Sequence, residues 1–186
     1  MGNVILGLLL LGPSTLYAIN KQFEQGISLF YSASLGSIRS ALTVLLDKGH
    51  VTVTESVEHG RSKKTYAITD AGRAAFTEWM LAPITTANLE TIALAKLYLL
   101  GLLPTDARTG VLADITARIA HDEQQLAELA ATLDALELPP EYREIFRYQR
   151  LTLDYGLMSH RAAREFFARV DSSFGAADRR LRKPLW

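Results

Sequence analysis

The chain has 186 residues, enough for one large domain or two small ones that bury a core. Apolar residues make up 48% and charged ones 22%, which excludes a disordered chain, while 20 basic against 20 acidic residues give a net charge of zero and exclude a general polycationic coat for nucleic acid. There is no cysteine, which excludes disulfides and thiolate metal sites and fits a reducing cytoplasm.

Val4 to Leu11 is apolar on every side. It lacks a basic leader and a small-residue cleavage site and is too short to span a bilayer, so a helix buried among others is expected, not a signal or membrane segment. Gly7-x-x-x-x-Gly12 before Ser14 mimics a phosphate loop, but Pro13 stands where the lysine would have to be. Gly12-Pro13 breaks this helix. Ser14 is placed to cap a second one, Thr15 to Gln25, with Leu16, Ile19 and Phe23 inward and Gly26 as its stop. The link Ile27 to Ala33 is apolar for a loop, and Leu29 and Phe30 are expected to pack on the core.

From Ser34 the spacing of Leu35, Ile38, Leu42 and Leu45 predicts a third helix, ended by Gly49. Its outer side carries Ser37, Ser40, Thr43 and Asp47, with Arg39 and Lys48 on the flanks. Val51, Val53 and Val57 alternate with Thr52, Thr54 and Ser56 as a strand, Glu58 to Ser62 makes a polar turn, and Lys63 to Ile68 returns. A helix with a small, polar outer face followed by a hairpin with a basic tip describes a winged helix-turn-helix, whose helix enters a DNA major groove while the wing reaches the backbone. The candidate DNA contacts are therefore Ser34, Ser37, Arg39 and Ser40 on the third helix and Arg61, Ser62, Lys63 and Lys64 on the wing. Tyr17 and Lys21 join them from the second helix, which crosses the backbone in this motif. Arginine taking guanine by two hydrogen bonds is the commonest specific contact, which singles out Arg39.

Thr69-Asp70 caps a fourth helix, Ala71 to Leu81, and Pro83 marks a boundary. The remainder reads as helix: Leu89 to Leu103, then Thr105 to Leu138, stopped by Pro139-Pro140, then Glu141 to Phe174. The fold expected is mainly α: a winged helix over residues 1–83 with a two-stranded wing, long helices over 84–176, and a charged, frayed tail over 177–186. Ile115, Ile119, Leu126, Leu129, Leu133 and Leu136 lie at heptad-like spacings, and the last helix adds Phe146, Leu153, Leu157 and Phe166. That is more apolar surface than one antiparallel pair hides, so these residues are expected to join two copies, and a two-fold protein matches a two-fold DNA site. Trp79, Tyr98, Phe146 and Tyr148 are aromatic groups suited to a pocket for a small aromatic effector. His50, His59, His121 and His160 form no metal signature, and no catalytic or cofactor motif is present, so neither a metal, a cofactor nor an enzyme is expected. A winged helix that binds only protein is the alternative to DNA binding.

Several stretches resemble the PadR family of bacterial transcriptional regulators. They are Ile5-Leu6-Gly7-Leu8-Leu9 with Gly12-Pro13, Tyr17-Ala18-Ile19, Gly36-Ser37-Ile38 through Gly49-His50-Val51, Lys63 to Arg73, Leu97 to Pro104, and Leu153-Asp154-Tyr155-Gly156. Arg39 departs from that family, in which a tyrosine usually follows Gly-Ser/Thr-Ile/Leu. The resemblance implies a homodimer with interlocked C-terminal helices, and repression of transcription relieved by a small molecule such as a phenolic acid.

Overall fold

The computed structural model describes residues 1–58 and 61–173, with the backbone alone at 58, 61 and 171–173. His59, Gly60, Phe174 and the tail expected over 177–186 lie outside the described residues. The elements are α1 (Gly2–Leu10), β1 (Ser14–Thr15), α2 (Leu16–Gln25), α3 (Leu35–Asp47), β2 (Val51–Glu58), β3 (Arg61–Ile68), α4 (Asp70–Leu81), α5 (Leu89–Leu99), α6 (Thr105–Asp134) and α7 (Arg143–Ser173). The chain divides into two compact units, Met1–Val111 and Leu112–Trp186, so the first runs past the boundary that Pro83 suggests.

In the first unit α1 is the centre. Val4, Ile5, Leu6, Leu8 and Leu9 are all buried, and α3, α4, α5 and β3 pack around them. Against α1 lie the inward stripes of α3 and α4, with Ile38, Leu42 and Leu45 and with Phe76 and Met80, while α2 packs on α3 and buries Ile19 and Phe23. The sheet is three-stranded and antiparallel in the order β1-β3-β2, with Ser14 opposite Tyr66, Val53 opposite Tyr66 on the other side, and Glu55 opposite Lys64. Among the described side chains of the hairpin only Val51 and Tyr66 are buried; Val53 and Val57 are exposed, because β2 and β3 run out beyond the core as a wing.

Two local expectations are corrected. Thr15, not Ser14, caps α2: its Oγ1 accepts the Ala18 N–H at 3.2 Å, while Ser14 lies in the added strand β1. Leu29 does not pack on the core. It is 89% exposed on a short 3-10 turn, and its neighbours Ile27 and Phe30 take the inward positions, Phe30 against Tyr98 at 5.9 Å between ring centroids.

The end of α3 is closed twice over. Gly49 has φ +69, and the N–H groups of Gly49 and His50 return to the carbonyls of Leu46 and Leu45, both at 2.9 Å, which satisfies two of the last helical carbonyls. Thr69 then ties the start of α4 to this turn. Its Oγ1 accepts the Gly72 N–H at 3.1 Å and donates to the Gly49 carbonyl at 2.7 Å, and its N–H donates to the His50 carbonyl at 3.0 Å.

In the second unit α6 and α7 form an antiparallel hairpin. Arg150 of α7 binds Asp134 of α6 through two hydrogen bonds of 2.8 and 3.1 Å, which hold the Asp134 carboxyl below its usual pKa, and it also pairs with Asp154. Further along, Glu123 receives Arg161 at 3.2 Å and Arg164 at 2.9 Å. Helix α6 stops at Asp134, four residues earlier than expected. Pro139 and Pro140 would set their rings against the carbonyls four residues back, so the helix has to end before those positions.

Candidate nucleic-acid interface

Helix α3 starts with a reciprocal cap. Ser34 Oγ accepts the Ser37 N–H at 3.2 Å, and Ser37 Oγ accepts the Ser34 N–H at 2.9 Å and lies 2.8 Å from the Ser34 carbonyl. Ser40 donates to the Gly36 carbonyl at 3.0 Å and Thr43 to the Arg39 carbonyl at 3.2 Å. The serines expected to donate to DNA are thus turned onto their own helix. At about 100° per residue, Gly36, Ser40, Thr43 and Asp47 fall within about 60° of one another, opposite the buried stripe. All four are exposed, so the outer ridge of α3 is small enough to approach another surface closely.

Charge points the same way. The first turn of α3 has no acidic residue to offset the positive end of the helix dipole, and Arg39 stands exposed one turn on. No ion pair ties Arg39 among the described residues. Asp47 puts a negative charge at the other end, so the N-terminal half of α3 is the part suited to an anionic partner.

The wing carries Lys64, whose Nζ lies 2.8 Å from Glu55 on the opposing strand, and that contact raises the lysine pKa. Lys63 is half-buried and Ser62 exposed; the Arg61 side chain lies outside the described residues. Thr15 is both the last residue of β1 and the cap of α2, so the sheet and α2 are held together at one point. Past it, Tyr17 is 72% exposed and Lys21 exposed. Tyr17 therefore belongs to the surface and not to the core.

The residues expected to join two copies divide. Ile115, Ile119 and Leu153 are buried within the protomer, which removes them from any surface seam. Leu126, Leu133, Phe146 and Leu157 are half-buried, and Leu136 lies past the end of α6. Leu129 and Phe166 remain exposed. Helix α7 has a second apolar stripe, of which sequence reading singled out only Phe166 for joining two copies: Tyr148, Leu151, Tyr155, Met158 and Phe166 are all exposed and fall within about 80° of one another, on the side opposite Leu153 and Phe167, which are buried. The aromatic residues proposed for an effector divide as well. Trp79 and Tyr98 belong to the first unit, and Phe146 and Tyr148 to the second. Trp79 packs on Phe76 at 6.1 Å, and burial raises the Tyr98 pKa.

One residue in the first unit was missed. Lys96, 3% exposed, donates to the Ala82 carbonyl at the end of α4 and lies 5.7 Å from the centre of the Trp79 ring. This cation–π and hydrogen-bond contact fastens α5 to α4 across Pro83 and explains why the compact unit continues past that proline. A lone lysine inside the apolar run Leu89 to Leu103 was the available signal. Among the described residues no His, Asp and Glu side chains cluster as a metal site, and no helix is long and apolar enough to cross a membrane.

Comparison with known proteins finds two matching stretches. Residues 5–78 match the transcriptional regulator PadR-like family, and residues 92–172 match the virulence activator alpha C-term family. A probable transcriptional regulator of Mycobacterium tuberculosis, Rv1176c, is 35% identical over 69 residues, which is 37% of this chain and 36% of that protein. The chain is also similar to Bacillus subtilis PadR, solved in complex with operator DNA (22% identity, 93% of this chain and 98% of that one, TM-score 0.43). The Vibrio cholerae virulence activator AphA is similar over 94% of this chain and 98% of its own, with 26% identity and a TM-score of 0.39. Residues 5–78 are thus similar to the PadR-like family of transcriptional regulators, over less than half of the chain.

Proposed function

We propose that this protein is a cytoplasmic, homodimeric repressor that holds an inverted-repeat operator through α3 and the β2–β3 wing and is released by a small aromatic or phenolic effector. The observation that carries the DNA part is the exposed, small-residue ridge of α3, flanked by an Arg39 with no ion-pair partner among the described residues and followed in the chain by a hairpin bearing Lys63 and Lys64. Arg39 reads a base, the wing holds phosphates, and Tyr17 and Lys21 meet the backbone beside α3. Replacing Lys63 and Lys64 by alanine is expected to weaken binding to all DNA by similar factors. It should also lower the slope of log K against log salt by between about 1 and 2, short of two full contacts because Glu55 already engages Lys64. Gel-shift or anisotropy titrations at several salt concentrations measure it. A changed sequence preference with an unchanged slope would make the wing a base reader, and binding that ignores salt altogether would favour a protein-interaction module.

The homodimer is supported by the two opposite apolar faces of α7. One lies inward with Leu153 and Phe167; the other, Tyr148 to Phe166, is exposed over more than four helical turns and needs a partner of similar length. A second copy supplies the same stripe by two-fold symmetry. Sedimentation at micromolar concentration should give twice 20.6 kDa, and Tyr155→Asp with Met158→Asp should give the monomer. A wild-type monomer at that concentration sinks the dimer. The effector is proposed from the family resemblance and the aromatic residues Trp79, Tyr98, Phe146 and Tyr148.

A further inference from the structure

We propose that Thr43 reads the 5-methyl group of a pyrimidine in the major groove, one helical turn along from the base met by Arg39. This rests on the reading of α3 as the helix that enters the groove. Every hydroxyl on α3 is engaged by the helix itself. Ser34 and Ser37 cap its first turn, Ser40 lies 3.0 Å from the Gly36 carbonyl, and Thr43 lies 3.2 Å from the Arg39 carbonyl. A hydroxyl that donates to its own backbone has no proton left for a base or a phosphate. What Thr43 then offers outward is its γ-methyl.

Its surroundings suit that role. Thr43 is exposed on the ridge with Gly36 and Ser40, neither of which is large enough to hold the helix away from a groove floor. Val44 beside it is 49% exposed, so the third turn of α3 presents two adjacent apolar tips on an otherwise polar surface. The core does not need them, since Ile38, Leu42 and Leu45 fill the inward stripe. Among the base edges in the major groove, only the 5-methyl of thymine is apolar, and 5-methylcytosine carries the same group. Thr43 follows Arg39 by four residues, about 6 Å along the axis, which is slightly less than two steps of about 3.4 Å along a DNA strand.

The test begins by selecting the preferred duplex of the wild-type protein from a random library. Each thymine of the half-site is then replaced singly by deoxyuridine, which removes the methyl and nothing else. One replacement, within about three base pairs of the position whose preference Arg39→Ala abolishes, is expected to weaken wild-type binding about fourfold, the effect of burying one methyl group. Thr43→Ser keeps the hydroxyl and loses the methyl, and should bind the thymine and uracil duplexes alike. Thr43→Val keeps a methyl and should still discriminate. If the selected pyrimidine is cytosine, 5-methylation should strengthen wild-type binding by the same factor and leave Thr43→Ser unmoved. A wild type indifferent to every methyl, or a Thr43→Ser as sensitive as wild type, overturns the inference while the DNA-binding reading stands. A selection that enriches no sequence overturns both.

Discussion

Gly72→Ala should destabilise the first unit by about 3 kcal/mol, near the upper end for overpacking, and lower Tm by about 6–12 °C in a chain of this size. A Cβ built on Gly72 would sit 2.1 Å from the His50 carbonyl oxygen and 2.8 Å from Ile68 Cγ1. The carbonyl cannot give way cheaply. It accepts the Thr69 N–H, and the His50 N–H is bound in turn to Leu45, so moving it loosens both the cap of α4 and the closing turn of α3. Gly7 is the instructive contrast. Its Cβ would meet Leu99 at 2.7 Å and Phe76 at 2.9 Å, but these are side-chain atoms whose shift breaks no hydrogen bond, and the loss there should be smaller. Gly110 is the control: it lies in α6 with nothing within 4 Å, and alanine there should gain about 0.5–1 kcal/mol from helix propensity alone. Thermal melts followed by circular dichroism compare the three. A Gly72→Ala melt within about 2 °C of wild type would mean that α4 can shift against the turn that closes α3, and the close seat of Gly72 on His50 would not be what fixes the recognition surface.

The parts legible in the sequence were those written in a single period. The stripe of Ile38, Leu42 and Leu45 came out buried, Gly49 took the positive φ that a helix stop requires, and the hairpin formed between Val51 and Ile68. Strand β1 was not legible because two residues carry no alternation; its place is set by register with Tyr66 and Thr65. Ser14 and Thr15 both offer a capping hydroxyl, and only the added strand decides between them. On α7 the failure has another cause. An apolar set on each side of one helix flattens the periodic contrast, so spacing alone finds Phe146, Leu153 and Leu157 as readily as Tyr148, Tyr155 and Met158, and cannot say which set faces α6. Serine hydroxyls are ambiguous in the same way: Ser34, Ser37 and Ser40 suit DNA or the helix's own backbone, and the short local path favours the backbone.

With those hydroxyls engaged, the burden of recognition on the first half of α3 falls on Arg39, and Arg39→Ala should cost about 1–3 kcal/mol on the selected operator and almost nothing on random DNA. Arg39 stands about 80–90° from the centre of the buried stripe, at the ~100° step of a helix. That is too far round for the core and somewhat to one side of the outermost ridge. A long side chain resolves this by running along the flank and presenting its guanidinium beyond the small residues Gly36 and Ser40. Its alternative use, a salt bridge along the helix flank, has no carboxylate partner among the described residues. Its position near the positive end of the helix dipole disfavours a cation, so the residue adds nothing to the stability of α3 that would account for it. Arg39→Lys separates the two remaining roles. Lysine keeps the charge but loses the fork that meets guanine O6 and N7 together, so it should keep binding to random DNA and lose most of the preference at one position. Equal losses on operator and random DNA for Arg39→Ala, restored by lysine, would place the guanidinium on a phosphate, and base reading by α3 would then fall to Thr43.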